Sequence, residues 1–476
     1  MKKAAEMLEI YPMIPAITTI PGKEKDDMKR FTYLAHYPSD SAIIPNRYDI
    51  ILLFIGIGTH VLLAYVLHSS PQLAIYYALA ILVIGFWLIL RDQYVGLIYL
   101  TGYIMGSEVL LRMVKADIFW ESAKYSVVLL MLLAVLKRKL PLPGLPLLYF
   151  MLLLPSAVLT ISDYSFEEAR NMLSFNLSGP LLLCIAVLFF SQMHIGRGEI
   201  QRLLLYTMLP ISGIAFLASY STITAEYIVF TKSNLVTSGG FGPNQISAIL
   251  GLGALLCWLY ILIQQDHPKM RWVIIGLMVW FLTQTLLTFS RGGIVNFLVA
   301  ASVGTVYLLR DRRQRIHSLM LGLILCGIFA YVIFPRIDEF TGGAFKNRFT
   351  NPDTTARVEL FGADLEIWQE NFLIGMGPGV ATESRGINIG GRRRGIAAHT
   401  EFSRMLSEHG LLGFIALIIL FTMFLRAFRQ APSPYAKGLS LAFMLWSVTE
   451  MSHSAMRIGA ISYFFALPFV NFEDEN

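Results

Sequence analysis

The sequence predicts an all-α integral membrane protein of about 12–14 transmembrane helices. Hydrophobic residues make up 55% of the 476 residues and charged residues only 15%, about ten percentage points below the usual charged share of a soluble protein. The apolar residues fall in blocks of about 16 to 22, the length that crosses a bilayer. A transmembrane barrel would instead show short segments of alternating polarity. These features exclude an ordinary soluble enzyme.

Fourteen apolar blocks are candidates for transmembrane helices. Eleven fall within residues 48–334 and three within 410–476, ahead of a short tail. The blocks are 50–67, 72–90, 94–113, 118–136, 145–162, 177–193, 203–223, 243–263, 272–289, 292–309, 317–334, 410–427, 438–452 and 457–472.

Lysine and arginine are concentrated on one side of the predicted bundle. Assigning alternate connections to the same side places 22 of them on the side of the N-terminus and six in the short connections opposite. Because basic connections stay in the cytoplasm, both termini are predicted to be cytoplasmic. Residues 1–47 are polar and mixed in charge, which predicts a cytoplasmic N-terminal segment and no cleaved signal peptide.

Composition also limits the partners. The three cysteines, Cys184, Cys257 and Cys326, stand in apolar blocks without a CxxC pair, so no disulfide framework or zinc site is expected. No HExxH or DxD motif stands in the predicted outer connections, and no metal or cofactor is expected. The net charge of +6 is scattered over many connections, so no nucleic-acid partner is expected.

One outer connection, residues 335–409, is far longer than the others and is predicted to be partly ordered. An amphipathic helix within it should lie on the membrane surface or across the mouth of the bundle, with Asp353 or Thr354 as its N-cap. Its apolar stripe consists of Val358, Phe361, Leu365, Trp368 and Phe372. The glycine-rich stretch 375–379 predicts a turn after this helix.

Three side chains in the outer connections are candidates for chemistry. His399 precedes a second amphipathic run and could take a proton from a hydroxyl group, or make only a local hydrogen bond at a helix start. Arg291 stands between two adjacent blocks, and Arg357 lies at the edge of the apolar stripe. Guanidinium groups bind phosphate through forked donors. Snorkelling or contact with lipid phosphates would explain both arginines without catalysis.

Weaker signals stand elsewhere. Asn244, at the start of the eighth block, could contact a sugar or cap the helix, and Pro243 suits the first helical position. Glu108 and Arg112 are four residues apart on the third block and are expected to pair. A small polar cluster at the last outer turn, catalytic or structural, consists of Glu450, His453 and Arg457.

Four segments resemble the O-antigen ligase and polymerase superfamily of bacterial membrane glycosyltransferases. They are GPNQISA at 242–248, TFSRGG at 288–293, TARVELFGADLEIWQENFLIGMGPG at 355–379 and HTEFSRMLSEHGLLG at 399–413. The last is the most specific, because a His followed by a helix and a glycine pair ahead of a span is typical of the family. The resemblance covers roughly residues 235–415.

The resemblance implies a GT-C-like fold in the bacterial cytoplasmic (inner) membrane, with the active site on the periplasmic side of the bilayer. It implies an inverting, metal-independent transfer of a glycan from undecaprenyl (polyprenyl) pyrophosphate to an acceptor hydroxyl on a glycan, lipid A-core or protein. His399 would activate or position the acceptor, and Arg291 and Arg357 would bind the leaving pyrophosphate. Asn244 would contact the substrate. A glycine-flanked basic run is predicted to meet donor phosphates or lipid headgroups; it consists of Arg392, Arg393 and Arg394.

The sequence leaves several functions open. The first choice is an O-antigen ligase-like transferase of surface polysaccharide biosynthesis, and a repeat-unit polymerase of the same superfamily is the alternative. A protein-glycosylating transferase, which shares the same loop architecture, also remains open. A flippase or other transporter of lipid-linked oligosaccharides would also suit many helices with scattered intramembrane charges. An inactive scaffold of polysaccharide assembly would keep the fold without requiring His399.

Overall fold

A computed structural model describes residues 47–116, 118–139, 142–226, 228, 230, 233–264, 268–309, 312–350, 355–385, 387–389, 392–396 and 398–472. The predicted N-terminal segment therefore lies outside the described residues, apart from residue 47. The described chain is helical almost throughout, and ten of its helical segments are long and apolar enough to cross a membrane. The predicted all-α membrane class is confirmed.

The helices are α1 (Arg47–Ser69), α2 (Pro71–Leu90), α3 (Tyr94–Met113), α4 (Ser122–Arg138), α5 (Gly144–Met151), α6 (Leu154–Asp163), α7 (Phe166–Phe190), α8 (Arg197–Thr224), α9 (Pro243–Ile263), α10 (Pro268–Leu287), α11 (Gly292–Leu308), α12 (Arg312–Ile328), α13 (Phe334–Phe340), α14 (Ala344–Thr350), α15 (Thr355–Glu370), α16 (Ala381–Ser384), α17 (Glu401–Gln430), α18 (Pro434–Ser454) and α19 (Gly459–Ala466). The strands are β1 (His194–Ile195), β2 (Ile387–Ile389), β3 (Arg392–Arg394) and β4 (Asn471–Phe472). β1 pairs with β4 in parallel, and β2 pairs with β3 in an antiparallel hairpin.

Each predicted apolar block coincides with one helix, except block 145–162, which forms the pair α5 and α6, and block 317–334, which runs from α12 to the start of α13. A π-helical turn, Phe329–Ile333, joins α12 to α13, so the eleventh block continues to Phe340. Four blocks fall short of the length and apolarity of a full span, and they correspond to α4, α11, α18 and α19. Shorter or less apolar helices can still cross the membrane inside the bundle, because neighbouring helices satisfy polar groups that lipid cannot.

Helix α9 lies at the centre of the bundle, since 94% of the residues in its most apolar stretch are buried inside the protein. Helices α9 and α11 cross so closely that their backbones are almost in contact. A Cβ added at Gly293 would lie 2.0 Å from the carbonyl oxygen of Ser247, and one added at Gly251 would lie 2.4 Å from the carbonyl oxygen of Gly293. Only glycine permits this approach, which fixes the start of α11 against the start of α9.

Helix α15 is the amphipathic helix predicted in the long connection, but its predicted stripe does not cover the bundle. Val358, Phe361 and Phe372 are exposed, whereas Asp364 and Ile367 are buried. The polar residue Asp364 faces inward because a buried arginine pairs with it, as described below. The predicted caps Asp353 and Thr354 lie outside the described residues.

Helix α17 breaks at Gly410, whose φ of 60° and ψ of −138° are outside the helical region. The predicted glycine-rich turn, residues 375–379, packs against this break. The amide of Leu411 donates to the carbonyl of Phe372 at 2.7 Å, and the amide of Met376 donates to the carbonyl of Ser407 at 3.0 Å. The first part of α17, residues 401–409, is thereby held as a separate short helix beside the long connection.

Candidate active site at the start of α17

His399 lies in the loop that enters α17 and is half-buried. The hydroxyl of Thr400 caps the helix by accepting from the amide of Ser403 at 3.0 Å. On the other side of His399, the carbonyl oxygen of Ala398 accepts from Nη2 of Arg457 at 2.6 Å. The chain is therefore held on both sides of His399, which fixes the backbone of this loop.

A buried charge cluster lies directly beneath this loop, on the first turns of α17. Arg404 pairs with Glu401 at 2.5 Å and with Glu408 at 2.8 Å, using different guanidinium nitrogens. The three side chains are at most 4% exposed. Spacings of three and four residues bring them to one side of the helix.

A second buried pair ties the long connection to the same helix. Arg385 contacts Asp364 of α15 through Nε and donates through Nη2 to the hydroxyl of Ser407 at 3.1 Å. The hydroxyl of Ser403 donates to the other oxygen of Asp364 at 2.6 Å. This network fixes α15 against the start of α17.

The link between α18 and α19 is held by charged side chains through its backbone. The amide of Met456 donates to Glu401 at 3.1 Å, and its carbonyl accepts from Lys124 at 3.2 Å. The amide of Gly459 donates to Glu108 at 2.6 Å. Buried backbone groups need such partners, and these hold Arg457 in place.

The predicted pair of Glu108 and Arg112 is confirmed at 2.6 Å and belongs to a larger cluster. Glu121 bridges Arg112 at 3.1 Å and Lys124 at 2.7 Å. Nη1 of Arg112 also donates to the side chain of Gln245 at 2.9 Å and to the carbonyl of Arg457 at 3.2 Å. The cluster therefore connects the start of α9 to the link between α18 and α19.

Arg291 lies at the N-terminus of α11 and is half-buried. Its guanidinium has no hydrogen bond or ion pair with any other described residue. Next to it, Ser290 donates through its hydroxyl to Oδ1 of Asn244 at 2.9 Å. A Cβ added at Gly292 would lie 3.8 Å from the ring of His453. Arg291 is thus a half-buried charge without a counter-ion among the described residues, and the neighbouring Gly292 lies beside His453 at the end of α18.

Residues that contact the loops of the predicted site residues lie together at one end of the bundle. His453 lies beside Gly292, and four residues later Arg457 binds the loop of His399. Asn244 reaches the same end but uses Oδ1 to bind Ser290, so it also helps to fix the loop of Arg291. The side chains of Arg357, Arg392, Arg393 and Arg394 lie outside the described residues.

The sequence assigned Arg457 only to a small polar cluster. In the structure its side chain binds the loop of His399 directly. Burial lowers the pKa of its guanidinium, and the like charges of Arg404 and Arg385 lower it further, whereas Glu401 and Glu408 oppose the shift. Sequence analysis missed Asp364, Arg385 and the cluster of α17. The spacing of the α17 charges on an otherwise apolar helix could have indicated that cluster, whereas no local signal indicates the partner of Arg385.

Among the described residues, no group of three or more His, Cys, Asp or Glu side chains is arranged to hold a metal ion. Residues 276–418 match the protein family described as O-antigen ligase. The match includes Arg291, the long connection with Arg357, and His399. No curated protein matches the sequence. The resemblance deduced from the four sequence segments is confirmed.

Proposed function

On the premise that the chain belongs to the O-antigen ligase and polymerase superfamily, we propose that it transfers a glycan from undecaprenyl pyrophosphate to an acceptor hydroxyl at the outer face of the bacterial inner membrane. The ligase reaction of surface polysaccharide biosynthesis is the first choice. The observation that carries the proposal is the presence, at one end of the bundle, of a fixed histidine loop and of an arginine that has no counter-ion among the described residues.

His399 acts on the acceptor in this proposal. It takes the proton of the acceptor hydroxyl while the oxygen forms a bond to the anomeric carbon of the donor glycan. The bond between that carbon and the pyrophosphate oxygen breaks, and the bonding electrons leave with the lipid pyrophosphate. Attack from the face opposite the leaving group inverts the anomeric carbon. The fixed loop supports this role, because general-base catalysis depends on a defined position.

Arg291 stabilises the leaving group. Negative charge grows on the pyrophosphate in the transition state, and a preorganised cation lowers the barrier. An arginine already paired with a carboxylate would serve poorly, which distinguishes Arg291 from Arg385 and Arg404. Arg357 is proposed as a second pyrophosphate ligand, and Asn244 as a substrate contact in addition to its bond with Ser290.

The membrane arrangement is also part of the proposal. Both termini are placed in the cytoplasm, and the start of α17 is placed on the periplasmic side, because Lys and Arg are concentrated in the opposite connections. The exposed apolar side chains of α15 fit contact with the bilayer surface.

The test is a glycan profile of the host strain without this protein. Its lipid-linked and surface glycans are resolved by mass spectrometry, after complementation with wild type, His399→Ala or His68→Ala. His68 is exposed and provides the matched histidine control. We expect finished chains to accumulate on the polyprenyl carrier without the protein and with His399→Ala, and normal surface glycan with His68→Ala.

Other results would change the assignment. Accumulation of single repeat units would indicate the polymerase. Loss of donor movement across the bilayer in vesicles would indicate the transporter. Full complementation by a well-expressed His399→Ala protein would remove the histidine from the mechanism and favour a scaffold.

A further inference from the structure

The link between α10 and α11, residues 288–291, contains a buried aromatic residue with an unusual backbone conformation. Phe289 has a φ of 58°, in the left-handed region, and its side chain is fully buried. A bulky side chain is unfavourable there, and glycine or asparagine is usual where a helix ends in this conformation. Such a conformation persists only where neighbouring groups hold it, and it often marks a functional site. Phe289 stands two residues before Arg291.

The turn at Phe289 leads directly into Arg291, and the backbone that follows is held from α9. The hydroxyl of Ser247 donates to the carbonyl of Ser290 at 3.0 Å and accepts from the amide of Gly293 at 3.1 Å. These two bonds hold the backbone on both sides of Arg291. Because the left-handed φ decides the direction in which the chain enters Arg291, it also sets the place from which this side chain extends.

The ring of Phe289 lies in a small apolar cluster apart from the main core of the bundle. It is stacked on Phe230 of the preceding outer connection, with 5.4 Å between the ring centroids, and it meets Phe345 of α14 edge-on at 5.9 Å. Phe345 in turn lies edge-on against Phe334 of α13 at 5.1 Å. Aromatic pairs are favourable at these distances. The ring of Phe289 therefore joins the long connection to the turn before Arg291.

Helix α14 also contacts the backbone of Phe289. Nε of Arg348 donates to the carbonyl oxygen of Phe289 at 3.4 Å. The amide of Phe345 donates to the hydroxyl of Thr341 at 3.2 Å, which helps to fix the start of α14. The ring and the carbonyl of Phe289 are thus both in contact with one helix of the long connection, and these contacts stabilise its left-handed backbone.

We propose that Phe289 is a positioning residue for Arg291, because it makes the placement of the Arg291 loop depend on docking of α14. The inference rests on the proposed role of Arg291 at the leaving pyrophosphate. Glycine at position 289 would adopt the same turn without strain but would offer no ring to α14. A turn that only ended α10 would not require the buried ring, whereas a turn coupled to α14 does.

The coupling has a use in the proposed reaction. Helix α14 lies in the long connection that also carries Arg357 and leads to His399. Docking of this connection therefore also completes the turn before Arg291, so the leaving-group arginine and the acceptor base come into place together. A cation lowers the barrier only when it is placed before the charge develops.

The simplest competing explanation is that the ring of Phe289 only stabilises the fold. Phe289→Leu and Phe345→Leu remove the ring contact from either side. Phe281→Leu is the matched control, since Phe281 lies on α10, is also fully buried and packs in the main core of the bundle. All three changes remove a buried ring, but only the first two disturb the turn before Arg291.

Hydrogen–deuterium exchange of the full chain in lipid nanodiscs, read by mass spectrometry, measures this turn without turnover. We expect the amides of residues 289–293 to exchange at least about tenfold faster in Phe289→Leu and in Phe345→Leu, because local opening of the turn becomes easier. In Phe281→Leu the same amides should stay within about twofold of the wild-type rate, since the turn keeps its contacts.

Kinetics then separate positioning from a loss of folded protein. We expect Phe289→Leu to lower kcat by about tenfold to 100-fold, since a displacement of about 1 Å can cost this much, with little change in KM for the donor. In an Arg291→Lys background the same change should lower kcat by less than about twofold, because the two substitutions disturb one contact and do not add. A loss of folded protein would instead lower kcat by the same factor in both backgrounds, as expected for Phe281→Leu.

Three results would overturn the inference. They are wild-type exchange of these amides in either ring variant, equally fast exchange in Phe281→Leu, and an equal loss of kcat from Phe289→Leu in the two backgrounds. Because the exchange measurement needs no turnover, faster exchange in both ring variants of a chain that transfers no glycan would overturn only the proposed function.

Discussion

Nη2 of Arg457 donates a hydrogen bond of 2.6 Å to the carbonyl oxygen of Ala398, the residue that precedes His399. This contact joins the loop of the candidate base to the link between α18 and α19, about 60 residues further along the chain. The link is itself held by Glu401 and Lys124 through the backbone of Met456. Buried charged side chains therefore hold this loop and the link through hydrogen bonds to their backbone groups.

Arg291→Lys is expected to lower kcat/KM for glycan transfer by about 100-fold, the effect of losing one preorganised charge contact in a transition state. An ammonium group keeps the charge but cannot provide two parallel donors to a phosphate. The measurement is transfer by purified protein with a lipid-linked donor. Arg336→Lys, at an exposed position, should keep wild-type activity. Normal turnover by Arg291→Lys would mean that Arg291 serves only the fold.

Arg404→Met is expected to destabilise the protein by about 3–5 kcal/mol, because it leaves two buried carboxylates without their cation. Thermal unfolding followed by size-exclusion chromatography in detergent measures the loss. Arg336→Met breaks an exposed pair with Glu339, and such pairs contribute about 0–1 kcal/mol. Equal unfolding temperatures for the two variants would contradict a structural role for the α17 cluster.

Gly410→Ala is expected to prevent assembly of the α17 break. A Cβ at this position would lie 2.6 Å from the amide nitrogen of Gly375 and 2.7 Å from the carbonyl oxygen of Phe372. The positive φ adds strain for any side chain. Gly327→Ala, in an open part of α12, should instead stabilise by up to about 1 kcal/mol. Monodisperse, active Gly410→Ala protein would show that the break is not required.

Replacing the basic run 392–394 by three glutamines is expected to raise KM for the lipid-linked donor and to reduce its dependence on salt. The reason is that clustered cations, here on strand β3, attract an anionic partner through screened, long-range forces. Donor KM measured from low to high ionic strength tests this, with an Arg336→Gln protein as the comparison. If both the KM and its salt dependence are unchanged, the run has no part in donor binding.

Several features followed from the sequence because their causes are local. The apolar blocks locate all ten described segments that are long and apolar enough to cross a membrane, since lipid requires a continuous run of apolar side chains with internal hydrogen bonds. The spacing of Glu108 and Arg112 predicts their pair, and the glycine-rich stretch 375–379 predicts a turn. The family likeness could also be recognised, because short motifs with ordered spacing carry it, and the same motifs predict His399 and Arg291 as candidate site residues.

Only the tertiary structure decided which partners the charged residues take when those partners are distant in the sequence. Arg385 meets Asp364, and Arg112 meets Gln245, across separations of 21 and 133 residues, which no helical period encodes. The same holds for the orientation of α15, where pairing of Asp364 turns a polar residue inward and leaves Val358 and Phe361 exposed. The cost of burying an unpaired charge exceeds the gain from burying one more apolar side chain, so the ion pairs settled the orientation that hydrophobic periodicity alone left open.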